Sequence, residues 1–196
     1  QERDLIPSEE KLITFTEKGY FKRVKPETYK AQHRGGKGIV GAKLGDEDAV
    51  RDVIVANTHD NVLLFTKRGL VYKVKAYEIP EKKRDQKGEL FFDLFSSSKE
   101  PEELAAVLAM PHDAKLSGNL VMVTKRGKIK KTKFDQYGNI NKAGLLAMNI
   151  TDDDELRFVF PATDKEEAML VSYSGQSIRF ALKDMRAQGR RASGVR

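Results

Sequence analysis

The sequence predicts an all-β protein in which one unit of short strands is repeated four times. A phrase of two apolar strands around a turn occurs at residues 11–24, 61–74, 119–132 and 168–180. The turn glycines lie 50, 58 and 48 residues apart: Gly19, Gly69, Gly127 and Gly175. Another glycine closes each unit 17 or 19 residues later: Gly38, Gly88, Gly144 and Gly194. Such a period is typical of propeller-like or solenoid arrays.

Each repeated phrase has the pattern of a β-hairpin. Residues 11–24 read KLITFTEKGYFKRV, with alternating apolar side chains before a Lys-Gly turn and a second strand after it. The later copies read NVLLFTKRGLVYKV, NLVMVTKRGKIKKT and AMLVSYSGQSIRF. We therefore expect one hairpin in each unit.

A further strand precedes each later hairpin: VIVANTHD, AVLAMPHD and RFVFPATD end at Asp60, Asp113 and Asp164. Residues 102–110 (EELAAVLAM) have good helix propensity, but the repeat equates them with two β-rich segments, and tertiary context overrides propensity. We predict a strand there. The units then span approximately 5–46, 47–98, 99–151 and 152–196 of one domain, each with three or four strands and few or no helices.

The charge balance indicates a polyanionic partner. Lys plus Arg number 36 against 29 Asp plus Glu, giving a net charge of +7, as expected for nucleic-acid binding, although an anionic membrane or an acidic protein also fits. The absence of cysteine excludes disulfides, Cys-type zinc sites and thiol catalysis. No apolar run approaches the ~20 residues that span a bilayer, and no signal-peptide core is present. We expect a cytoplasmic protein and, because the chain starts at Gln1, a fragment of a longer one.

The segment QHRGGKG is the strongest candidate site. Its glycines allow backbone N–H groups to converge on an anion, and its cations can contact phosphate oxygens. We therefore predict DNA-backbone contacts from all seven of its residues: Gln32, His33, Arg34, Gly35, Gly36, Lys37 and Gly38.

A dinucleotide site is the alternative for the same segment, since Gly36, Gly38 and Gly41 match G-x-G-x-x-G. That fingerprint requires a helix beginning inside it. The AKLGDED that follows contains a turn and no helical period, which argues against a cofactor.

Recurring cations after the turns suggest a positive stripe. The fourth residue beyond each turn glycine is basic: Arg23, Lys73, Lys131 and Arg179. Since strand side chains alternate, these are expected to face outward, and their successors Val24, Val74, Thr132 and Phe180 to face inward. Further DNA-contact candidates are Lys22, Lys130, Arg190 and Arg191, and basic pairs occupy two hairpin tips, at residues 67–68 and 125–126.

Catalytic and metal sites are not expected in this chain. The acidic runs at residues 46–48 and 152–155 precede strands, where Asp commonly serves turns, and EF-hand spacing is absent. His59-Asp60 and His112-Asp113 recur at equivalent positions, whereas a nucleophile set would occur once with a distinct third partner. Base-reading helices are not evident either, so phosphate contacts and DNA bendability should govern binding.

Together QHRGGKG, TFTEKGYFKRV, LFTKRGLVYKV and the ending MRAQGRRASGVR make the chain resemble the gyrase A C-terminal domain family of type IIA topoisomerases. The resemblance runs from about residue 4 to 196 and implies a β-pinwheel of four-stranded blades that exchange outer strands. It also implies a basic rim that wraps duplex DNA without sequence specificity, so that the holoenzyme introduces negative supercoils. His33 stands where the family usually has arginine, which makes that contact pH dependent.

The resemblance implies that the catalytic sites lie outside this chain. DNA cleavage, ATP hydrolysis and the associated ATP and Mg would belong to the N-terminal breakage-reunion part of the gyrase A polypeptide and to gyrase B. This chain alone would be non-catalytic and free of cofactors, in the cytoplasm or nucleoid of a bacterium. The family usually has six blades, against four units here. The alternatives are the C-terminal domain of the equivalent topoisomerase IV polypeptide, whose box is degenerate, and a basic propeller that binds acidic proteins.

Overall fold

The structure is a computed structural model that describes residues 5–26, 48–95, 102–114 and 117–196. Within these ranges the chain is built of β-strands and short 3₁₀ turns, without an α-helix. The strands are β1 (Glu10–Thr16), β2 (Tyr20–Val24), β3 (Val50–Asn57), β4 (Asn61–Thr66), β5 (Leu70–Lys75), β6 (Glu89–Leu90), β7 (Leu104–Met110), β8 (Asn119–Thr124), β9 (Ile129–Lys133), β10 (Leu145–Leu146), β11 (Leu156–Ala162), β12 (Glu167–Val171) and β13 (Ser177–Ala181).

The four predicted hairpins are confirmed as β1–β2, β4–β5, β8–β9 and β12–β13, all antiparallel. Each tip glycine has a φ between 80° and 85°, a region that L side chains rarely adopt. The N–H of each tip glycine donates to the carbonyl oxygen three residues earlier at 3.0 Å. The repeated glycine therefore marks the one position in the turn that needs left-handed backbone.

The first three hairpins are extended by strands from the following unit. The first sheet has the order β3-β1-β2-β6 and the second has the order β10-β5-β4-β7. The third has the order β11-β8-β9, and residue Val195 bridges Ile129 on its β9 side. Each hairpin thus receives one long outer strand and one short inner segment from the next repeat, which is the strand exchange that the family resemblance implies.

Strand β7 confirms that residues 104–110 are extended, despite their helix propensity. It pairs with β4 along its whole length, so the backbone hydrogen bonds of a neighbouring strand decide its conformation. The long outer strands precede their own unit's hairpin in the chain but pair with the previous hairpin. The sheets are therefore offset from the sequence repeats by one strand.

Three apolar cores lie between successive sheets, and the central strands divide their side chains between them. On β4, Val62 and Leu64 pack into the first core, whereas Leu63 and Phe65 pack into the second. Strand β8 is divided in the same way between the second and third cores. A strand covered on both faces reads as a continuous apolar run, which explains VLLF and LVMV.

The fourth hairpin differs from the others, because in the described residues β12 and β13 pair only with each other. Its apolar side chains are correspondingly open, with Met169, Val171 and Ile178 each at least 60% exposed. The all-β blade architecture is confirmed, with four strands in each of the first two sheets. No helix in the described part of the chain is long and apolar enough to cross a bilayer.

Candidate nucleic-acid interface

The Gly-rich segment Gln32–Gly38 lies outside the described residues, as does Gly41. Its predicted DNA contacts therefore stay predictions. The related segments that end at Gly88, Gly144 and Gly194 are described, and we call residues 80–88, 138–144 and 185–194 the box loops. They show how a loop of this kind is held against the preceding hairpin.

The closing glycines of the box loops lie in close contact with the second strand of the preceding hairpin. A Cβ on Gly88 would lie 2.5 Å from the carbonyl oxygen of Phe21, and one on Gly194 would lie 2.7 Å from that of Ile129. On Gly144 it would lie 2.8 Å from the ring of Tyr72. In these three units the glycine is needed for packing against the second hairpin strand, independently of any ligand.

Lys22, predicted as a DNA contact, is buried beneath the first described box loop. It is 3% exposed, and its Nζ donates to the carbonyl oxygens of Arg84 at 2.5 Å, Gln86 at 2.7 Å and Lys83 at 3.4 Å. Burial lowers the pKa of Lys22. All three donors of this ammonium group are directed at the loop, so Lys22 is not placed to touch a phosphate.

Lys130 makes the same type of contact in the third hairpin. It is completely buried, and its Nζ donates to the carbonyl oxygens of Ala147 at 2.5 Å and Arg190 at 2.6 Å. Burial, with a smaller contribution from the charge of Arg190, lowers the pKa of Lys130 to about 8. This lysine too is enclosed by protein.

The outward orientation predicted for Lys131 is wrong. The side chain is 3% exposed, and its Nζ donates to Asp164 Oδ1 at 2.7 Å and to the carbonyl oxygen of Leu182 at 2.6 Å. The first four residues of β9 are all buried, so alternation along this part of the strand does not bring a side chain to solvent. The hydrogen bond from Lys131 lowers the pKa of Asp164.

The other three stripe candidates differ in exposure. The side chain of Arg23 is 16% exposed and lies 3.8 Å from Glu81, while Lys73 is half-buried with its Nζ 3.4 Å from the carbonyl oxygen of Gly138. Arg179 is 71% exposed, 3.5 Å from Glu167. Only Arg179 thus fully matches the predicted outward stripe. Their inward-facing successors are as expected, with Val24, Val74 and Thr132 buried and Phe180 half-buried.

The hairpin tips carry cations that are already paired with acids. Lys67 binds Glu103 and lies 3.7 Å from Glu155. Lys125 lies 3.1 Å from Glu155, and Arg126 binds Asp153. Glu103 precedes β7, and Asp153 and Glu155 precede β11. Lys67, Lys125 and Arg126 are therefore paired with acids, whereas Arg68 at the second tip is exposed.

The acidic runs cap the tips through backbone contacts as well. Asp48 Oδ1 accepts hydrogen bonds from the backbone N–H groups of Lys18 at 3.2 Å and Ala49 at 2.9 Å. Asp154 Oδ1 accepts the equivalent bonds from Arg126 at 3.0 Å and Glu155 at 2.9 Å. The prediction that these carboxylates stabilise turns is therefore confirmed in two of the repeat units.

His59 and Asp60, the first of the two recurring His-Asp sequences, each contact the backbone of a nearby residue. Asp60 Oδ2 accepts the backbone N–H of Asn57 at 2.8 Å, and His59 Nε2 lies 2.9 Å from the carbonyl oxygen of Ile6. The ring of His59 instead stands 6.1 Å from that of His112. Both groups serve the corner between an outer strand and the next hairpin.

Each of the described box loops carries exposed cations. Arg191 is exposed, as predicted, whereas Arg190 is half-buried and donates from Nη1 to the carbonyl oxygen of Leu146 at 2.6 Å. Four further exposed cations on the box loops were not predicted: Lys83, Lys87, Lys142 and Arg186. The signal for them was present, because basic residues precede the closing glycines. The box loops of the three described units therefore all carry exposed cations, alongside exposed cations elsewhere that include Arg68, Lys133, Lys165 and Lys183.

Comparison with known proteins agrees with the repeat. The family model described as DNA gyrase C-terminal domain, beta-propeller, matches residues 10–57, 60–89, 118–163 and 166–196. DNA gyrase A of Deinococcus deserti is 41% identical over 192 residues, covering 98% of this chain and 24% of that protein. DNA gyrase A of Clostridium acetobutylicum is 42% identical over 193 residues, covering 98% and 23%. The chain thus spans about a quarter of the length of these relatives.

Solved structures give the same fold. The C-terminal domain of DNA topoisomerase IV superposes with a TM-score of 0.76 at 26% identity, covering 97% of this chain and 57% of the other. The DNA gyrase A C-terminal domain superposes with a TM-score of 0.73 at 27% identity, covering 95% and 59%. Since the family model follows the four repeated units through most of the sequence, this chain belongs to the DNA gyrase C-terminal domain family.

Proposed function

We propose that this chain binds duplex DNA without sequence specificity and bends it around the edge that carries the box loops. The observation that carries the proposal is that the box loop of every described unit carries exposed cations ahead of its closing glycine. A duplex presents phosphates along its whole length, so equivalent cations on neighbouring blades can follow one backbone. The Gly-rich segment Gln32–Gly38 extends this series to the first unit.

Several features favour DNA wrapping over binding of an acidic protein. The relatives described above are components of DNA gyrase, whose name states a DNA substrate. The described residues include no α-helix that could enter a major groove, which favours contacts to phosphate over reading of bases. At the third hairpin tip Lys125 and Arg126 are paired with acids, whereas the box loops carry exposed cations in each described unit.

In the proposed role the chain is a non-catalytic part of a larger enzyme. Cleavage of DNA and hydrolysis of ATP with Mg would be carried out by the N-terminal breakage-reunion part of the gyrase A polypeptide and by gyrase B, in the bacterial cytoplasm. The bending supplied by this chain would give strand passage its direction, so that the holoenzyme introduces negative supercoils.

The test is a change in linking number. Relaxed closed-circular plasmid is incubated with the chain, nicked, religated and deproteinised, and its topoisomers are resolved by electrophoresis. Wrapping shifts the distribution in proportion to bound protein. The joint variant R34A and K37A should lose the shift, whereas K125A with R126A, at a neutralised tip, should retain it. About eight phosphate contacts would make log K fall with log salt at a slope of about −7.

Other outcomes assign other functions. Salt-sensitive DNA binding with an unshifted topoisomer distribution would overturn wrapping. Wrapping that survives R34A with K37A would favour the topoisomerase IV type of domain, which does not depend on an intact box. Failure to bind DNA at low salt, with capture of an acidic polypeptide, would support the protein-binding alternative. Saturable nucleotide binding that survives high salt would indicate a dinucleotide site at residues 36–41.

A further inference from the structure

Two buried lysines occupy the same position in different repeats and make the same contact. Lys22 and Lys130 each lie three residues after a tip glycine, on the second strand of the first and third hairpins. Each ammonium group donates to the carbonyl oxygen four residues ahead of a closing glycine, in Arg84 at 2.5 Å and in Arg190 at 2.6 Å. The contact therefore belongs to the repeat and not to one local environment.

The box loop above each lysine is fixed to the same strand at both ends. At its start, the N–H of Lys82 donates to the carbonyl oxygen of Arg23 at 3.1 Å, and the N–H of Gln188 donates to that of Lys131 at 2.7 Å. At its end, β6 pairs with β2, and Val195 pairs with Ile129. The box loop therefore crosses over the strand, and the lysine side chain fills the space between them.

The second hairpin provides an internal comparison. Tyr72 takes the place of the lysine there, and the box loop above it, residues 138–144, is shorter than the other two. The Tyr72 ring lies against the position of Gly144, and its buried hydroxyl has no hydrogen-bond partner. The lysine thus accompanies the longer loop, whose central carbonyl groups need a donor.

The direction of the carbonyl groups matters to an anionic ligand. Unpaired carbonyl oxygens at the loop surface would repel phosphate, whereas oxygens that accept from a buried ammonium group point away from it. The same loops carry exposed cations, Lys83 and Lys87 above Lys22, and Arg186 and Arg191 above Lys130. Order in the loop decides whether these cations are presented together.

We propose that Lys22 and Lys130 are positioning residues for polyanion binding, which hold the box loops in the arrangement that presents their exposed cations to DNA phosphates. This inference rests on the proposed function, because it assigns to two residues without DNA contact a share of the affinity for DNA. It predicts that each lysine acts only through the cations of the loop above it.

A double-mutant cycle tests this dependence. The affinity of the chain for a short linear duplex is measured over a series of salt concentrations for the parent, K130M, the loop variant R186A with R191A, and the combination. K130M and the loop variant should each flatten the slope of log K against log salt by about 1.8, the value for two lost phosphate contacts. In the combination, K130M should have no further effect.

The adjacent lysine provides the matched control. Lys131 is equally buried on the same strand, but it donates to Asp164 and Leu182 and not to a box loop. K131M should lower the unfolding temperature without changing the salt slope. If K130M does not fold, K22M in a cycle with K83A and K87A tests the same relation in the first hairpin.

The outcomes separate the two proposals. If the parent binds DNA and K130M binds with the same affinity and slope, the positioning role is overturned while the proposed function stands. It is also overturned if K130M is equally deleterious in the R186A and R191A background, or if K131M flattens the slope as much. If the parent does not bind duplex DNA at low salt, both proposals fail together.

Discussion

The hydroxyl oxygen of Thr66 accepts a hydrogen bond from the backbone N–H of Leu70 at 3.2 Å, across the tip of the second hairpin. The same contact joins three further pairs at 3.1 Å: Thr16 with Tyr20, Thr124 with Lys128, and Ser172 with Gln176. Each hydroxyl lies three residues before a glycine with positive φ. The repeated Ser/Thr-x-x-Gly therefore specifies two features of the turn. Its hydroxyl accepts the backbone N–H of the residue after the tip glycine, and its glycine adopts the positive φ.

Replacing Thr66 by valine should destabilise the protein. The side chain is completely buried, so valine preserves its volume but leaves the Leu70 N–H without its acceptor. A buried donor without a partner costs about 1–3 kcal/mol, which urea denaturation would resolve. S172A, at the exposed fourth tip, should cost less than about 0.5 kcal/mol because water can replace the hydroxyl. Equal losses at the two tips would contradict this explanation.

The closing glycine Gly88 should not tolerate alanine. Its Cβ would stand 2.5 Å from the carbonyl oxygen of Phe21, in a backbone that belongs to a paired strand and cannot move freely. We expect G88A to lower the free energy of unfolding by about 1–3 kcal/mol, as overpacked sites do. G189A is the matched control, because a Cβ there would meet nothing within 4 Å. An unchanged unfolding midpoint for G88A would show that the two backbones separate easily.

Lys130 should cause the free energy of unfolding to increase with pH in mild alkali. Burial lowers its pKa from 10.5 to about 8, so between these pH values the unfolded chain binds more protons than the folded protein. The free energy of unfolding of the parent relative to K130M should increase across this window by up to roughly 3 kcal/mol. Denaturation at several pH values measures it, with K133M as the control for removal of an exposed lysine. A difference that stays constant with pH would be incompatible with the lowered pKa.

The repeat made the fold predictable, because the same local rules appear several times in one sequence. The tip glycines fixed four hairpins, and equivalence with β-rich segments identified residues 104–110 as a strand against their helix propensity. It was harder to predict from the sequence which strands pair with one another. A strand such as β7 precedes the hairpin of its own unit, and only the family resemblance indicated that it joins the sheet of the previous one.

The orientation of the cations was harder to predict than their recurrence. The alternation of side chains along a strand distinguishes its two faces, but it predicts exposure only when one of these faces is open to solvent. Along the first four residues of β9 both faces are covered, so Lys130 and Lys131 are buried and find carbonyl or carboxylate partners farther along the chain. The acceptors of these two ammonium groups lie 17 to 60 residues away in the chain and leave no local pattern. The exposed loop cations had only the weaker signal of preceding a glycine.

The ion pair of Lys131 with Asp164 should contribute stability that is lost in acid. The hydrogen bond from Lys131 lowers the pKa of Asp164 below its ordinary 3.8, so the contribution is present above that pH and disappears as pH falls through the folded-state value. D164N should therefore be less stable than the parent near pH 7, and the difference should shrink below pH 3.8. Urea denaturation across this range measures the difference. In a K131M background the pH dependence of the D164N effect should become smaller, with the remainder due to Asn119 and Lys133, and an unchanged pH dependence would contradict the assignment to Lys131.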